Sequence, residues 1–361
     1  MLDRLKLIRQ ITNCSSQITS KQDNQLELAL KTWQFLITDP EFKVNLAKAK
    51  LEWNVPTWDG ELNEFKQLAP NKFNYTVVAS DGSQIYPDRH MGSNYYVINT
   101  GIVTLRYDTK SSASFNSEPY FFTDLAEGNV ADYVDSKRHE LEIADGLKVC
   151  LHETGNVFYL ADGSLIAWHL FGKSENFIDQ FMPNYLQQLQ TFYQHKTPII
   201  GYTSLPNSKE VVNLLRAKLC NFEASKFEIN YLQDLVDSDL LAILLQPLQF
   251  TTWFKSNVAA VKSYPEHLKI YFAYCHTCSE IARIELPAWV VQDQGLLDLC
   301  MQVVVDQIQK GYGYPVALSE AHQQAVIKTQ DRNFFYQVIN QVSKKDGKLS
   351  YKLRQKQVMH I

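Results

Sequence analysis

The sequence predicts an α/β protein: a mixed β-sheet flanked by helices, with a helical extension before it and a helical segment inserted late in it. Short apolar runs of strand length recur at 75–79, 157–161 and 198–202, bounded by turn residues. Stretches with apolar residues three and four apart separate and follow them, which is helical periodicity. Of the 361 residues 45% are hydrophobic, enough for a sizeable buried core.

The elements follow in order. Leu26, Leu30, Trp33 and Ile37 recur at helical spacing, so residues 1–70 read as a helical lid or dimer arm. Trp53, Pro56, Trp58 and Gly60 mark a loop near its end. The strand at 75–79 runs into Ser80-Asp81-Gly82-Ser83. Runs at 95–107 and 115–122 form a meander, because Asp108, Ser111 and Ser112 supply turn chemistry between them. Asp135-Ser136 can cap a helix reaching about residue 151. The strand at 157–161 ends at Asp162-Gly163-Ser164. A helix at 175–195, a strand at 198–202 and a helix at 208–219 come next, and 220–265 shows no clear pattern. Strands at 268–274 and 281–286 precede a helix at 296–310. Gly311-Tyr-Gly-Tyr314-Pro315 breaks it, and a last helix spans 319–342. The organisation expected is an extension over 1–70, one α/β domain over 71–345 and a basic tail over 346–361.

Composition limits the function classes. A formal charge of −4 argues against a chain that coats nucleic acid indiscriminately, and leaves room for one basic groove. The first residues carry mixed charge and no apolar signal region. No apolar run approaches the roughly 20 residues that span a bilayer. The expectation is a cytoplasmic protein without a membrane partner. Six cysteines are irregularly spaced and read as reduced and mostly buried. Cys275-His-Thr-Cys278 lacks the second CxxC of a zinc ribbon.

The chemistry gathers around carboxylates. Asp-Gly-Ser occurs at 81–83 and again at 162–164, each time after an apolar strand. One copy is a common turn. Two copies at two strand ends point to Asp81 and Asp162 as converging ligands, because sheet enzymes place ligands beyond the carboxyl ends of strands. The helix between them offers a third. Glu140, Ala144, Leu147 and Leu151 fall on one stripe, so Glu140 is expected on the sheet-facing side and Glu142 roughly 160° away. That choice depends on the helical phase, and Glu142 is the alternative. Three crowded carboxylates repel one another unless a hard cation such as Mn²⁺ or Mg²⁺ takes them up. Two such ions about 4 Å apart clamp a phosphodiester for hydrolysis.

A second signal lies at 314–322. His322 is expected in the first turn of the last helix, where the helix N-terminus disfavours imidazolium and favours phosphate. A neutral His322 could bind metal or pass a proton to the leaving oxygen, and Tyr314 could bond a phosphate or stack on a base. Either residue alone is more commonly structural.

These residues carry a resemblance. The order strand-Asp, two strands, helix-Glu, strand-Asp is similar to that of ribonuclease H-like enzymes. The text Arg138-His-Glu140-Leu-Glu-Ile-Ala144 looks like an Arg-x-Glu-Leu-x-x-Ala pattern seen among them. More specifically, Asp81-Gly-Ser83, Asp162-Gly-Ser-Leu165 and Tyr314-Pro315 with Ala321-His322 resemble the NurA nucleases over roughly 70–345. The resemblance implies a ribonuclease H-like mixed sheet. It also implies a manganese-preferring DNA exonuclease (5′ to 3′) and single-strand endonuclease, with Asp81, Glu140, Asp162, Tyr314 and His322 in the site. A homodimer is implied too, partnered by a HerA-type hexameric ATPase in end resection of broken DNA. The competing readings are a ribonuclease H-like enzyme acting on RNA or branched DNA, and a non-catalytic scaffold on a translocase. The basic residues towards the end, Lys344, Lys345, Lys348, Lys352, Arg354 and Lys356, could touch DNA phosphates, and a solvated tail is the commoner explanation.

Overall fold

The structure, a computed structural model, describes residues 3–67, 73–87, 95–123, 129–223 and 231–345. It begins with helices α1 (Arg4–Thr38) and α2 (Phe42–Lys48) and the short strands β1 (Thr57–Trp58) and β2 (Lys66–Gln67). Long strands β3 (Tyr75–Ile85), β4 (Tyr96–Tyr107) and β5 (Ser112–Phe122) follow. Then come α3 (Val130–Cys150), β6 (Val157–Asp162), α4 (Glu175–Gln194) and β7 (Ile199–Ser204). Helices α5 (Glu210–Leu219) and α6 (Asp237–Leu244) precede β8 (Gln249–Phe250), β9 (Phe254–Lys255), β10 (Ile270–His276) and β11 (Ile281–Pro287). The chain continues through α7 (Ala288–Val291), α8 (Gln294–Lys310), α9 (Val316–Ala325) and α10 (Thr329–Lys345).

Two compact units result. One joins 1–69 to 202–291, and the other joins 70–201 to 292–361. Every residue singled out for chemistry lies in the second. Its sheet has the order β7-β6-β3-β4-β5, with residues 199–201 of β7 belonging here. β3, β4 and β5 form the antiparallel meander, and β6 runs parallel to β3. This is the mixed sheet flanked by helices that the element order anticipates. Val77, Val78 and Ala79 are all fully buried. Successive side chains point to opposite faces of a strand, so both faces of β3 are covered. Helices α3 and α9 each pack on β3 and β4.

Helix α3 starts earlier than its sequence suggests. Asn129 caps it, its side chain accepting from the Ala131 amide at 3.1 Å, and Asp135-Ser136 lies inside the first turns. The buried face carries Ser136, Glu142, Ile143, Gly146, Leu147 and Cys150. Gly146 sets the approach: a Cβ there would stand 2.1 Å from the ring of the fully buried Tyr159. That ring is fixed, because its hydroxyl bonds Ser80 Oγ at 2.6 Å, and Ser80 in turn donates to the Glu142 carbonyl at 2.6 Å. Gly146→Ala should therefore destabilise. Overpacking costs about 1–3 kcal/mol, against the ~1 kcal/mol that Ala gains over Gly in a helix. A lower urea midpoint with unchanged slope is the expected reading. Wild-type stability would count against this close packing.

Helix α9 is pinned at its end. Its Ala325 carbonyl accepts from Ser83 Oγ of β3 and from Asn99 Nδ2 of β4, the latter at 2.9 Å. From α8, Gln307 donates to the Tyr75 and Tyr107 hydroxyls, each at 3.1 Å, and accepts from the Ala317 amide at 3.1 Å. One buried amide side chain thus ties α8, both strands and the start of α9 together.

The other unit packs α1 against α5 and α6. Trp33, Leu36, Phe42, Leu62, Leu215, Leu241 and Phe272 share its core. Its strands run β1-β9-β10-β11, with β8 pairing β10 and β2. The segment without a clear sequence pattern, 220–265, contributes α6, β8 and β9. Its polar centre is buried: Arg283 bonds Glu210 at 2.6 Å and Glu285 at 2.7 Å. Asp237 accepts from the Val212 amide at 2.7 Å and from the Tyr274 hydroxyl at 2.6 Å. Cys275 lies in β10 and is buried, while Cys278 is exposed with φ +78°. Cys150, Cys220 and Cys300 are also unpaired and buried. Among the described residues no helix is long and apolar enough to cross a membrane. The tail at 346–361 lies outside the described residues.

Candidate metal centre

Strand register brings the two aspartates together. In the parallel pair β3–β6 the last matched partners are Ser80 and Ala161. The next residues are Asp81 and Asp162, on strands that lie about 4.8 Å apart. The two Asp-Gly-Ser copies are not alike. The second is the expected strand end: β6 stops at Asp162, Gly163 takes φ +109°, and Ser164 Oγ accepts from the Ile166 amide at 3.0 Å. The first is no turn. β3 continues through Asp81, Gly82 and Ser83 to Ile85, paired with β4 throughout. Asp81 sits where the parallel neighbour ends and the antiparallel one persists.

On α3 it is Glu142, and not Glu140, that faces the sheet, a correction to the phase deduced from sequence. Glu142 is buried, and a Cβ on Gly82 would stand 2.5 Å from its Oε1. Glu140 turns elsewhere: its Oε1 accepts from Lys137 Nζ at 3.1 Å, and its carbonyl accepts from Gln188 of α4 at 3.0 Å. Of the stripe Glu140, Ala144, Leu147 and Leu151 only Leu147 is buried, and Leu151 is 41% exposed. Small residues, Gly146 and Ser136, mark the sheet-facing side instead, and a search for apolar periodicity passes over them.

His322 and Tyr314 complete the group. His322 Nδ1 stands 2.8 Å from Asp81 Oδ2. The Tyr314 hydroxyl donates to the Asp162 carboxylate. The helix expected over 319–342 is two helices, α9 and α10, separated at 326–328. His322 is therefore in the last turn of a short helix and not in the first turn that its sequence suggests. Tyr314 lies just before Pro315, which precedes α9.

The electrostatics agree with a crowded acidic centre. Asp162 reaches solvent at its strand end, yet protein surrounds its carboxyl. That desolvation comes first, then the charges of Asp81 and Glu142, and together they push its pKa up to about 6 against the relief from Tyr314 and His322. The carboxylates are held apart by internal partners. Ser80 and Gly82 face α3, so Asp81, between them, faces α9 and His322. Glu142 arrives from the α3 side, with Arg138 Nη1 at 3.2 Å and His139 Nδ1 at 3.5 Å. His139 packs on His169 at 4.7 Å, and burial, then the neighbouring His139 and Arg138, pushes the His169 imidazole down to about 3. As the side chains stand, no three His, Cys, Asp or Glu among the described residues are grouped to enclose an ion. Glu142 Oε1 is buried and accepts no hydrogen bond.

Comparison with known proteins bears on this arrangement. A family model described as the NurA domain matches residues 75–327. The NurA nuclease from Sulfolobus solfataricus has a similar fold, with TM-score 0.60, 13% identity, and coverage of 96% of this chain and 98% of that one. A NurA structure with manganese aligns at TM-score 0.49 and 10% identity, covering 93% of this chain and 99% of that one. Endonuclease V from Bacillus subtilis aligns at TM-score 0.37 and 13% identity, covering 82% and 90%. Curated proteins gave no match. The matched span holds the register-paired aspartates, Glu142, Tyr314 and His322, and it covers well over half of the 361 residues, so the chain belongs to the NurA family.

Proposed function

We propose that the protein is a divalent-metal-dependent DNA nuclease whose ions are held by Asp81, Glu142 and Asp162. The observation that carries this reading is the β3–β6 register, which sets Asp81 beside Asp162 with the Glu142 charge close enough to raise the Asp162 pKa. The donor set fits a hard cation: all carboxylate oxygens, mutually repelling, with Glu142 Oε1 left without a hydrogen bond. Gathering all three on one ion requires their side chains to move from the positions they hold here. When bound, one or two Mn²⁺ or Mg²⁺ ions activate water and neutralise charge on the phosphodiester.

The chain's own residues do the rest. Tyr314 donates to Asp162 and orients it. His322 is 61% exposed and bonded to Asp81, so it can hold a proton near the reacting phosphate and pass it to the leaving oxygen. Glu140 has no part in this scheme. Family membership supports the finer assignment: 5′ to 3′ exonuclease and single-strand endonuclease activity in DNA end resection, as a cytoplasmic homodimer working with a HerA-type ATPase. The intact acidic cluster speaks against a purely scaffolding role.

Labelled single-stranded DNA, double-stranded DNA and RNA, each incubated with Mn²⁺, Mg²⁺ or chelator, test the proposal. Cleavage of DNA with metal and none with chelator is expected. Cleavage of RNA alone, or cleavage unaffected by chelator, overturns it. A pH dependence follows as well. Below pH 6 Asp162 is protonated and an incoming ion must expel that proton. Mn²⁺ affinity should fall about tenfold per pH unit below that point and level off above pH 7, read by calorimetry. Constant affinity from pH 5 to 7 would contradict the shifted carboxyl.

A further inference from the structure

Arg138 is held differently from the two arginines Arg106 and Arg283. Arg106 grips Glu153 with two nitrogens, Nε at 2.8 Å and Nη2. Arg283 is fully enclosed between Glu210 and Glu285. Both are held to carboxylates by short hydrogen bonds, although Arg283 Nη2 is itself buried without a hydrogen-bond partner. Arg138 meets Glu142 through Nη1 alone at 3.2 Å, and Glu142 Oε1 gains no hydrogen bond from it. The pair runs Arg to Glu at i,i+4, the less favourable orientation on a helix. Nη1 makes one real bond, donating to the Gly82 carbonyl at 3.1 Å. Nε is buried with no partner. A guanidinium has five N–H donors in a planar fork suited to phosphate. Most of that fork is unused, and the side chain is 30% exposed. Gly82 directly follows Asp81, so the tether keeps the guanidinium beside the acidic centre.

We propose that Arg138 is the movable cation of this site: it neutralises Glu142 in the metal-free protein, and once an ion takes that carboxylate it turns its fork to a phosphate oxygen of the substrate. The inference rests on the metal-centre reading above. It gives Arg138 two successive partners of like charge, a carboxylate and then a phosphate. The weak pair with Glu142 is what makes the exchange easy.

The test uses the full chain and two ligands measured by calorimetry: Mn²⁺ alone, and dAMP in saturating Mn²⁺, which offers a phosphate with no phosphodiester to cut. Arg138→Met removes both competitor and phosphate ligand. It should bind Mn²⁺ about threefold or more tighter and dAMP about tenfold or more weaker. A merely structural Arg138 would give the opposite sign for Mn²⁺. Arg138→Lys keeps the charge without the fork, so it should bind Mn²⁺ like wild type and still lose several-fold in dAMP affinity. Weaker Mn²⁺ binding by Arg138→Met, or unchanged dAMP affinity in either variant, overturns the proposal. Should circular dichroism show Arg138→Met unfolded, the dAMP affinity of Arg138→Lys decides alone. Wild type taking up no Mn²⁺ overturns the metal centre itself, and this role falls with it.

Discussion

Asp162→Asn should lower metal-dependent DNA cleavage by about a hundredfold or more while leaving the metal-free protein at least as stable as wild type. Loss of an outer partner of a metal ligand already costs about 10–100-fold, so loss of a direct ligand costs more. The stability expectation comes from the sign of the carboxyl's shift. Its folded pKa of about 6 lies above the ordinary 3.8. The folded state therefore binds the proton more tightly than the unfolded chain, and stability falls as pH rises from about 4 to 6. Above pH 6 Asp162 is ionised against the preference of its surroundings. A neutral Asn removes that opposition. Thermal melts at pH 7 with chelator should show an equal or higher midpoint. Cleavage at the wild-type rate would sink the metal centre, and a markedly lower midpoint would sink the electrostatic account of Asp162.

The second large effect separates two glutamates on one helix. Glu142→Gln should reduce cleavage about a hundredfold or more, on the same logic of a lost ligand. Glu140→Gln should change it less than about twofold, because Glu140 only meets Lys137 at a partly exposed position, where such pairs contribute little. Measuring both under identical Mn²⁺ conditions makes the comparison internal. Equal loss in both variants would mean that the helix can rotate or that neither residue is a ligand. Loss in Glu140→Gln alone would restore the phase inferred from sequence.

Much of the site is written locally, and its errors have physical causes. Asp81 and Asp162 were legible because each follows a short apolar run, and apolar runs of that length form buried strands. Their different backbones were not legible. Gly82 continues a strand that pairs with β4, whereas Gly163 turns, and only the distant partner strand decides which occurs. Glu142 ranked second to Glu140 in the sequence because the small residues Ser136 and Gly146 share the buried face of α3 with Ile143 and Leu147, which blurs its helical phase. The split between α9 and α10 carries no glycine or proline at Val326-Ile327-Lys328 to announce it. The grouping of 202–291 with the N-terminal helices depends on long-range burial, such as Trp33 and Leu215 in one core, which no local pattern reports.

The origin of His322 far downstream has a consequence for the order in which the enzyme is born. Asp81, Glu142 and Asp162 leave the ribosome early, and the side chain that pairs with Asp81 comes 160 residues after Asp162. At the usual pace of about 5–20 residues per second that interval lasts roughly 8–32 s. Throughout it, the carboxylates are present without their histidine, and α9 has yet to be made to cover β3 and β4. A growing chain thus carries its carboxylates well before the histidine that pairs with Asp81.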